Sequence, residues 1–461
     1  MSKYSFTMSP FTELSLTGRV ATPADPDWDQ TRLAWNLAAD PHPAAVAYVE
    51  GADDIAAVIR YAAAHELKVI GQTTGHGAAP VGPVEHTIVI KTERMRKIEI
   101  DREAKTARIE AGVQAMELAV AAQEAGLCFL PGSSPNIGVT GYTLGGGLSW
   151  LGRRYGFACN RVEAIEIVTA DAQSRRVDRE SEPELFWALR GGGGSYAIVS
   201  ALHLRLLPIA EVFGGALVFP AEVGAEAVRT YRDWAATAPE EITSRIRFLR
   251  PPPLPDVPEP LRDKPLLTID GAFVGDLDKG DDLVAPLREI GEPIMDTFAR
   301  MPVSGLGRIH MDPEPPVPIL AHALLVRELS NEGIDAFFER VGPQAGSPLL
   351  LAEFDQLGGA LGRPAEVAGA LSHLDSDYVM FAAAIPMNPD LGAAIVEALN
   401  ALEDALSPWA GEGAYLNFAE RPSDIEAIFG SAVCDRLAAV KRRWDPDGII
   451  RANHVLSLSS A

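Results

Sequence analysis

The chain has 461 residues, too many for one compact core, so two domains are expected. It is 47% hydrophobic and 22% charged, as soluble globular proteins are. Its 40 Lys and Arg against 63 Asp and Glu leave a formal charge of −23, which repels phosphate backbones and anionic lipid and argues against nucleic acid or membrane partners.

The first residues, MSKYSFTMSPFTELSLTG, lack the basic-then-apolar pattern of a secretory signal. No run of about 18 apolar residues is present to span a membrane. Cys128, Cys159 and Cys434 are odd in number and far apart, which suggests neither a disulfide framework nor a zinc site; no metal is expected, and the cytoplasm is the expected compartment.

In chain order, residues 50–70 read as a helix followed by a strand, with Ile55, Val58, Ile59 and Ala62 on one face and Asp53 and Asp54 at the positive end of the dipole. A β-branched cluster covers Thr87 to Ile90. In KIEIDREAKTARIEAGV, alternating Ile98, Ile100, Ala107, Ile109 and Ala111 flank a polar turn and predict a hairpin. A helix over 113–125 is stopped by Gly126. Strands are expected at Ala164–Thr169 and Ile198–Leu207, the latter ended by Pro208. Beyond Pro208 the texture changes, with extended proline-rich loops at 251–260 and 313–318, and a motif-dense tail follows from Tyr415 to His454. This is the order of a second domain inserted between an N-terminal body and a short C-terminal return.

Three glycine-bearing loops carry chemistry. In VIGQTTGHGAAP, His76 stands between Gly75 and Gly77. GSSPNIGVTGYTLGGGLSWLGRRYG frees the backbone at Gly138, Gly141, Gly145, Gly146 and Gly147 to approach a ligand and present N–H groups to phosphate. In RGGGGSYAIVSALHL, Gly192, Gly194 and Ala197 formally match the dinucleotide fingerprint. The match is accidental, because a helix precedes it and a strand follows, the reverse of a Rossmann unit.

With ELFWALRGGGGSYAIV, the late YLN and the terminal KRRWDPDGIIRANHVL, these loops occur in the order seen in a known family. The chain resembles the FAD-linked oxidases of the vanillyl-alcohol-oxidase superfamily, berberine-bridge-enzyme-like branch, over roughly residues 35–210 and 410–457. The resemblance implies an α+β, two-domain FAD-binding fold. A flavin domain at 1–211 (core about 35–211) would be followed by an inserted α+β substrate domain with an antiparallel sheet at 212–410, and 411–461 would return to complete the flavin domain.

The resemblance also implies roles. His76 would be joined covalently to the 8α-methyl of FAD, the bland alternative being a histidine that only hydrogen-bonds locally. Gln72, Thr73, Thr74, Gly75, Gly77, Ser133, Ser134, Ile137, Gly138, Gly141, Gly145, Gly146, Ile198, Asn417 and Asn453 would line the cofactor. Tyr415 is the first candidate base and Tyr142 the second; Tyr196, Tyr378 and His373 are weaker. Two departures stand out. Gln72-Thr73-Thr74 replaces the usual arginine-led loop, and Ser134 occupies the place of a second, cysteinyl tether, so a single covalent link is expected. Ile137, at the position that gates oxygen, has the branching of an oxidase residue and the size of a dehydrogenase one.

The implied activity is an oxidase that takes hydride from a C–OH or C–H bond of a small organic molecule, a secondary metabolite or sugar. Hydride passes to flavin N5, and O₂ is the acceptor, giving H₂O₂. A dehydrogenase with another acceptor, a flavin-dependent cyclase or rearrangement catalyst, and a pure binding module are the alternatives. The Ala- and Arg-rich composition suits a bacterial source. Nothing in the sequence decides the oligomeric state.

Overall fold

A computed structural model describes residues 10–251, 259–262, 264–423, 425–454 and 456. The fold is mixed α+β, with three sheets among the described residues. The first has the order Arg19–Ala21, Ala45–Tyr48, Thr87–Lys91, Lys68–Gln72, Ile450–Arg451. Its last strand comes from the chain's tail and runs parallel to Lys68–Gln72, pairing Ile450 with Val69. The second sheet has the order Ile98–Asp101, Thr106–Glu110, Ile198–Arg205, Val162–Val168, Ser174–Asp178.

The expected helix forms over Ala52–Ala64, where Ile55, Val58, Ile59 and Ala62 are fully buried, each larger one contributing about 2 kcal/mol. Asp54 does more than complement the dipole. Its carboxylate accepts the N–H groups of Thr17 (2.8 Å), Gly18 (3.1 Å) and Glu50 (3.0 Å), tying the first strand's approach to the helix start. The hairpin forms as its alternation requires, with Ile98 opposite Ile109 and Ile100 opposite Ala107. A helix does precede the Gly192 run (Pro183–Ala188) and a strand follows it, so the chain lacks Rossmann geometry there.

The largest sheet is antiparallel and runs Met295–Asp296, Glu211–Pro220, Leu266–Phe273, Ile242–Leu249, Leu351–Gln356, Tyr378–Ala384, Leu320–Val326, with Ala299–Pro302 also on Glu211–Pro220. One face, with Ile246, Phe248, Ile269, Phe354 and Met380, packs on helices that contribute Tyr231, Ile334, Phe337, Ile395 and Leu399. The other lies on the N-terminal body: Val212 and Ala272 meet Tyr142 and Trp150, while Leu325 and Val379 meet Leu148, Phe157 and Tyr415. Most of the proline-rich stretch at 251–260 lies outside the described residues. Among those described, no helix is long and apolar enough to cross a membrane.

The tail is locked in place by a buried cation. Lys441 donates to the carbonyls of Ser195 (2.8 Å) and Ile450 (2.6 Å) and pairs with Asp445, joining the third glycine loop to the tail strand. This geometry explains why a charged residue is tolerated at 5% exposure.

Candidate active site

The three glycine loops and the tail enclose a cavity of about 450 Å³. The first loop leaves the end of strand Lys68–Gln72 and turns at Gly75, whose φ of +88° and 2.6 Å approach of a built Cβ to the Ala34 methyl admit only glycine. That turn stacks the His76 imidazole on Trp35, with centroids 4.0 Å apart and planes 11° from parallel. Nδ1 lies 2.9 Å from Thr74 Oγ1, and Nε2 is buried with no partner. Burial pushes the imidazole down to about 4, so it is neutral at pH 7 and keeps a nucleophilic lone pair.

The departures from the arginine-led loop have a structural role. Thr73 donates to the Ala111 carbonyl (2.8 Å), and Thr74 Oγ1 meets the Gly138 N–H (3.4 Å), so these hydroxyls fasten the first loop to its neighbours. A positive charge on the cavity wall comes instead from Arg451, held by the carbonyls of Pro83 and Val81.

In the second loop Ile137, Gly138, Gly141, Tyr142 and Gly145 reach the wall. A Cβ on Gly145 would sit 1.8 Å from Asn417 Oδ1, and Asn417 in turn donates to the Tyr142 carbonyl (2.8 Å). Asn453 donates to the Gly77 carbonyl, closing the tail over the first loop. Gln72, Thr73, Thr74, Gly75, His76, Gly77, Ile198, Asn417 and Asn453 line the same cavity.

Ser133, Ser134, Gly146 and Tyr415 do not reach that wall. Ser134 donates to Asn136 Oδ1. Gly146 (φ +124°) lies against the Tyr415 ring, and Tyr415 is 2% exposed. The Tyr415 oxygen accepts from the Leu148 N–H (2.7 Å) and Asn417 (3.1 Å), but burial outweighs both donors and raises the phenol above its usual range. Tyr142 reaches the wall while its hydroxyl donates to the Leu130 carbonyl (3.0 Å), and burial raises it too. Both phenols are thus turned into the protein and protonated at neutral pH. Tyr196 is likewise buried, its hydroxyl on the Gly192 carbonyl.

Sequence reading missed two sets of residues. Glu420 and His454 line the cavity from the tail side, and burial pushes Glu420 up to about 7. The second set is a charged row on the large sheet's inner face, in register across three strands: Arg245 opposite Asp270 and Asp355, and Arg247 opposite Glu353. Arg245 Nε lies 2.8 Å from Asp355 Oδ1, and Arg247 Nη2 lies 3.0 Å from Asp270 Oδ2. His310 bridges Asp312 (2.6 Å) and Glu353 (2.8 Å) through its two ring nitrogens. The Arg245 guanidinium stands 4.3 Å over the Trp150 ring, at the end of the second glycine loop. The available signal was period two: RIR, ID and EFD place charges at alternate positions of otherwise apolar strands.

The cavity fits FAD. His76 Nε2, Thr140 Oγ1, Glu420 Oε2 and His454 Nδ1 are buried polar atoms without partners, and all four residues line it. Unpaired buried groups are costly, and together they describe a wall made for a polar ligand. At Gly141 a built Cβ meets no atom within 4 Å, so it would occupy ligand space. Gly141→Ala is therefore expected to fold normally but lose most of its flavin, overpacking of this kind costing about 1–3 kcal/mol. The flavin-to-protein absorbance ratio checks it, and full loading of the variant would contradict this placement.

Comparison with known proteins agrees. Residues 43–178 match the FAD binding domain family. The chain is 27% identical over 453 residues to the uncharacterized FAD-linked oxidoreductase YgaK of Bacillus subtilis (strain 168), covering 95% of this chain and 96% of that one. It is 26% identical over 460 residues to (R)-6-hydroxynicotine oxidase of Paenarthrobacter nicotinovorans, covering 96% and 97%. The structure of Physcomitrella patens BBE-like 1 superimposes with a TM-score of 0.83 at 20% identity, covering 96% of this chain and 98% of that one. With its flavin cavity, glycine loops and tail strand accounted for, the chain carries an FAD binding domain, is similar along its length to FAD-linked oxidoreductases, and shares the fold of BBE-like 1.

Proposed function

We propose that the protein is a covalent flavoprotein oxidase that removes hydride from a C–OH or C–H bond of a small organic molecule and uses O₂ as acceptor, releasing H₂O₂. The observation that carries this reading is the set of four unpartnered polar atoms on a glycine-lined cavity, one of them the nitrogen of a neutral His76. FAD, when bound, accepts the hydride at N5 and passes the electrons to oxygen. In this reading residues 1–211 and 411–461 hold the cofactor, and 212–410 hold the substrate.

The chain's own residues supply binding and the proton step. His76 anchors the cofactor, and Gly138, Gly141, Gly145, Ile198 and Asn453 shape its bed, while Arg451, Thr140, Glu420 and His454 meet its polar groups. Tyr415 and Tyr142 stand as candidate bases, and the charged row adds a third in Asp355, which like Tyr415 lies off the flavin-cavity wall. Burial pushes Asp355 up to about 7, where a carboxylate accepts a proton near neutral pH, and Arg245 beside it stabilises the ionised form. Glu353, His310 and Asp312 form a hydrogen-bonded chain from that row toward partly exposed Asp312.

The second reading, a dehydrogenase with a non-oxygen acceptor, is favoured by the bulk of Ile137 on the cavity wall. Both are tested without knowing the substrate. The holoprotein is reduced with dithionite under argon and mixed with aerated buffer. Rapid reoxidation with one H₂O₂ per flavin supports the oxidase, and Ile137→Val is then expected to speed it. Slow reoxidation in the parent, relieved by Ile137→Val, selects the dehydrogenase; rates identical in both would remove Ile137 from any gating role. A rearrangement catalyst would show product of unchanged mass and no H₂O₂.

A further inference from the structure

A second cavity, of about 620 Å³, opens on the seam between the N-terminal body and the segment 357–374. Its walls include Arg161, Arg179 and Arg205 on one side and Arg363 on the other, with Tyr155 and Phe186 beside them. Four guanidinium groups around one cavity are unexpected in a chain with a formal charge of −23. The carboxylates on the same walls are Glu163 and Glu366. Glu163 is taken by Arg205 (2.7 Å), and Arg363, on the opposite wall, pairs with Glu240.

That leaves Arg161 and Arg179, which make no hydrogen bond or ion pair among the described residues. Arg179 is exposed, and water alone accounts for it. Arg161 is different. Its Nε is buried without a partner, and both burial and the Arg205 charge oppose its own charge. A structural arginine in such a place finds a carbonyl or a carboxylate, as its neighbours do. Arg190 donates to the carbonyls of Val367 and Ala368 (both 2.9 Å), and Arg153 donates to that of Leu357 (3.0 Å).

We propose that this seam cavity is a binding site, separate from the flavin cavity, for a small oxyanion of the phosphate class, held by Arg161 and Arg179 with Arg205 and Arg363 at its rim. A guanidinium fork matches the spacing of phosphoryl oxygens, and several forks around one cavity outcompete the chain's general repulsion of anions. The site spans two parts of the fold. Asn160 holds the same segment through Gly369 N–H (2.9 Å) and the Leu371 carbonyl (3.3 Å). Leu371 and Leu374 in turn pack with Leu148 and Tyr415. An anion bridging Arg161 to Arg363 therefore tightens the segment behind the second glycine loop.

The test is calorimetric titration and thermal melting of the flavin-loaded protein with inorganic pyrophosphate at low ionic strength. One saturable site per chain is expected, with a rise in melting temperature. Arg161→Gln and Arg179→Gln are each expected to weaken binding about tenfold or more, the worth of a lost charge-assisted bidentate contact. Arg161→Lys is expected to retain part of it, and flavin content and absorbance stay as in the parent. Should Arg161→Gln fold poorly, Arg179→Gln decides alone, since that exposed side chain makes no hydrogen bond or ion pair among the described residues. Inorganic phosphate and glucose 6-phosphate binding equally would assign the phosphoryl group itself, whereas tighter binding of the ester would assign a phosphorylated metabolite. No saturable heat, or pyrophosphate binding unchanged in both glutamine variants, overturns the proposal. The flavin reading stands or falls separately, on the cofactor's retention in the same samples.

Discussion

Replacing His76 with alanine is expected to abolish covalent flavin while leaving the fold in place. Acid precipitation of the parent should keep the yellow colour in the pellet, with flavin mass on the peptide containing His76; the variant should release all its FAD into the supernatant. The fold survives because the side chain's own contacts are modest. The stacked Trp35 ring is worth about 1 kcal/mol, and the Thr74 contact about the same. The chemistry does not survive, because the other neutral imidazole with a buried, unpartnered nitrogen on that wall, His454, stands on the tail and not in the first glycine loop. The cysteines offer no substitute. Cys128 and Cys159 are buried away from the wall, and burial raises both thiols, Cys159 up to about 12, so neither forms a thiolate near neutral pH. Flavin found on a cysteine peptide, or retained after acid by His76→Ala, would sink the assignment. Noncovalent FAD in the parent would keep the cavity and remove the tether.

The glycine loops were legible in the sequence because their chemistry is local. A glycine before His76, glycines at 138, 141 and 145, and Asn417 and Asn453 of the YLN and RANH stretches act through backbone freedom and short side chains, and each sits on the cavity wall. The accidental fingerprint at Gly192 was also legible, since the order of helix and strand is a local fact. What escaped was long-range. The inward turn of the Tyr415 hydroxyl follows only from the packing of Gly146, Leu148 and Leu371 around it. Arg245, Arg247, Asp270, Glu353 and Asp355 lie on three strands up to 110 residues apart in sequence (245 to 355), and a charge at an alternate strand position reads as solvent-facing until a second domain covers that face. Arg451 escaped for a related reason: its partners Val81 and Pro83 are brought to it by the tail strand's pairing with Lys68–Gln72.

That covered row makes folding stability depend on pH in a defined window. His310 is 5% exposed and carries a carboxylate on each ring nitrogen. Burial and the Arg247 charge oppose a charged imidazole, but Asp312 and Glu353 prevail and raise it to about 9. Its folded pKa therefore exceeds the ordinary value of 6.5, so the folded state binds the extra proton and is stabilised by it. The contribution is fully present below about pH 6.5 and is lost as the pH rises through 9; a separation of this size corresponds to about 3 kcal/mol. The neighbouring carboxylates fall on either side of the lower edge of this window. Glu353 and Asp312 are held below the usual carboxylate range, whereas burial raises Asp355 to about 7 and raises Asp270, and the His310 charge lowers both, so their ionisation adds to the pH dependence at the low end of the window. Changes elsewhere, such as the buried Lys91 and Lys441 whose burial lowers them, cancel in a difference between two proteins that share them. His310→Gln is accordingly expected to be about 3–5 kcal/mol less stable than the parent at pH 6, because it leaves Glu353 and Asp312 without their shared cation. By pH 9.5 most of that gap should close, since the parent has then lost the same charge. Chemical denaturation of both proteins across pH 6 to 9.5 measures it. A gap that stays constant across the range would mean that His310 is neutral in the fold, which would also break the proton chain from Glu353 to Asp312 on which the proposed acid–base chemistry depends.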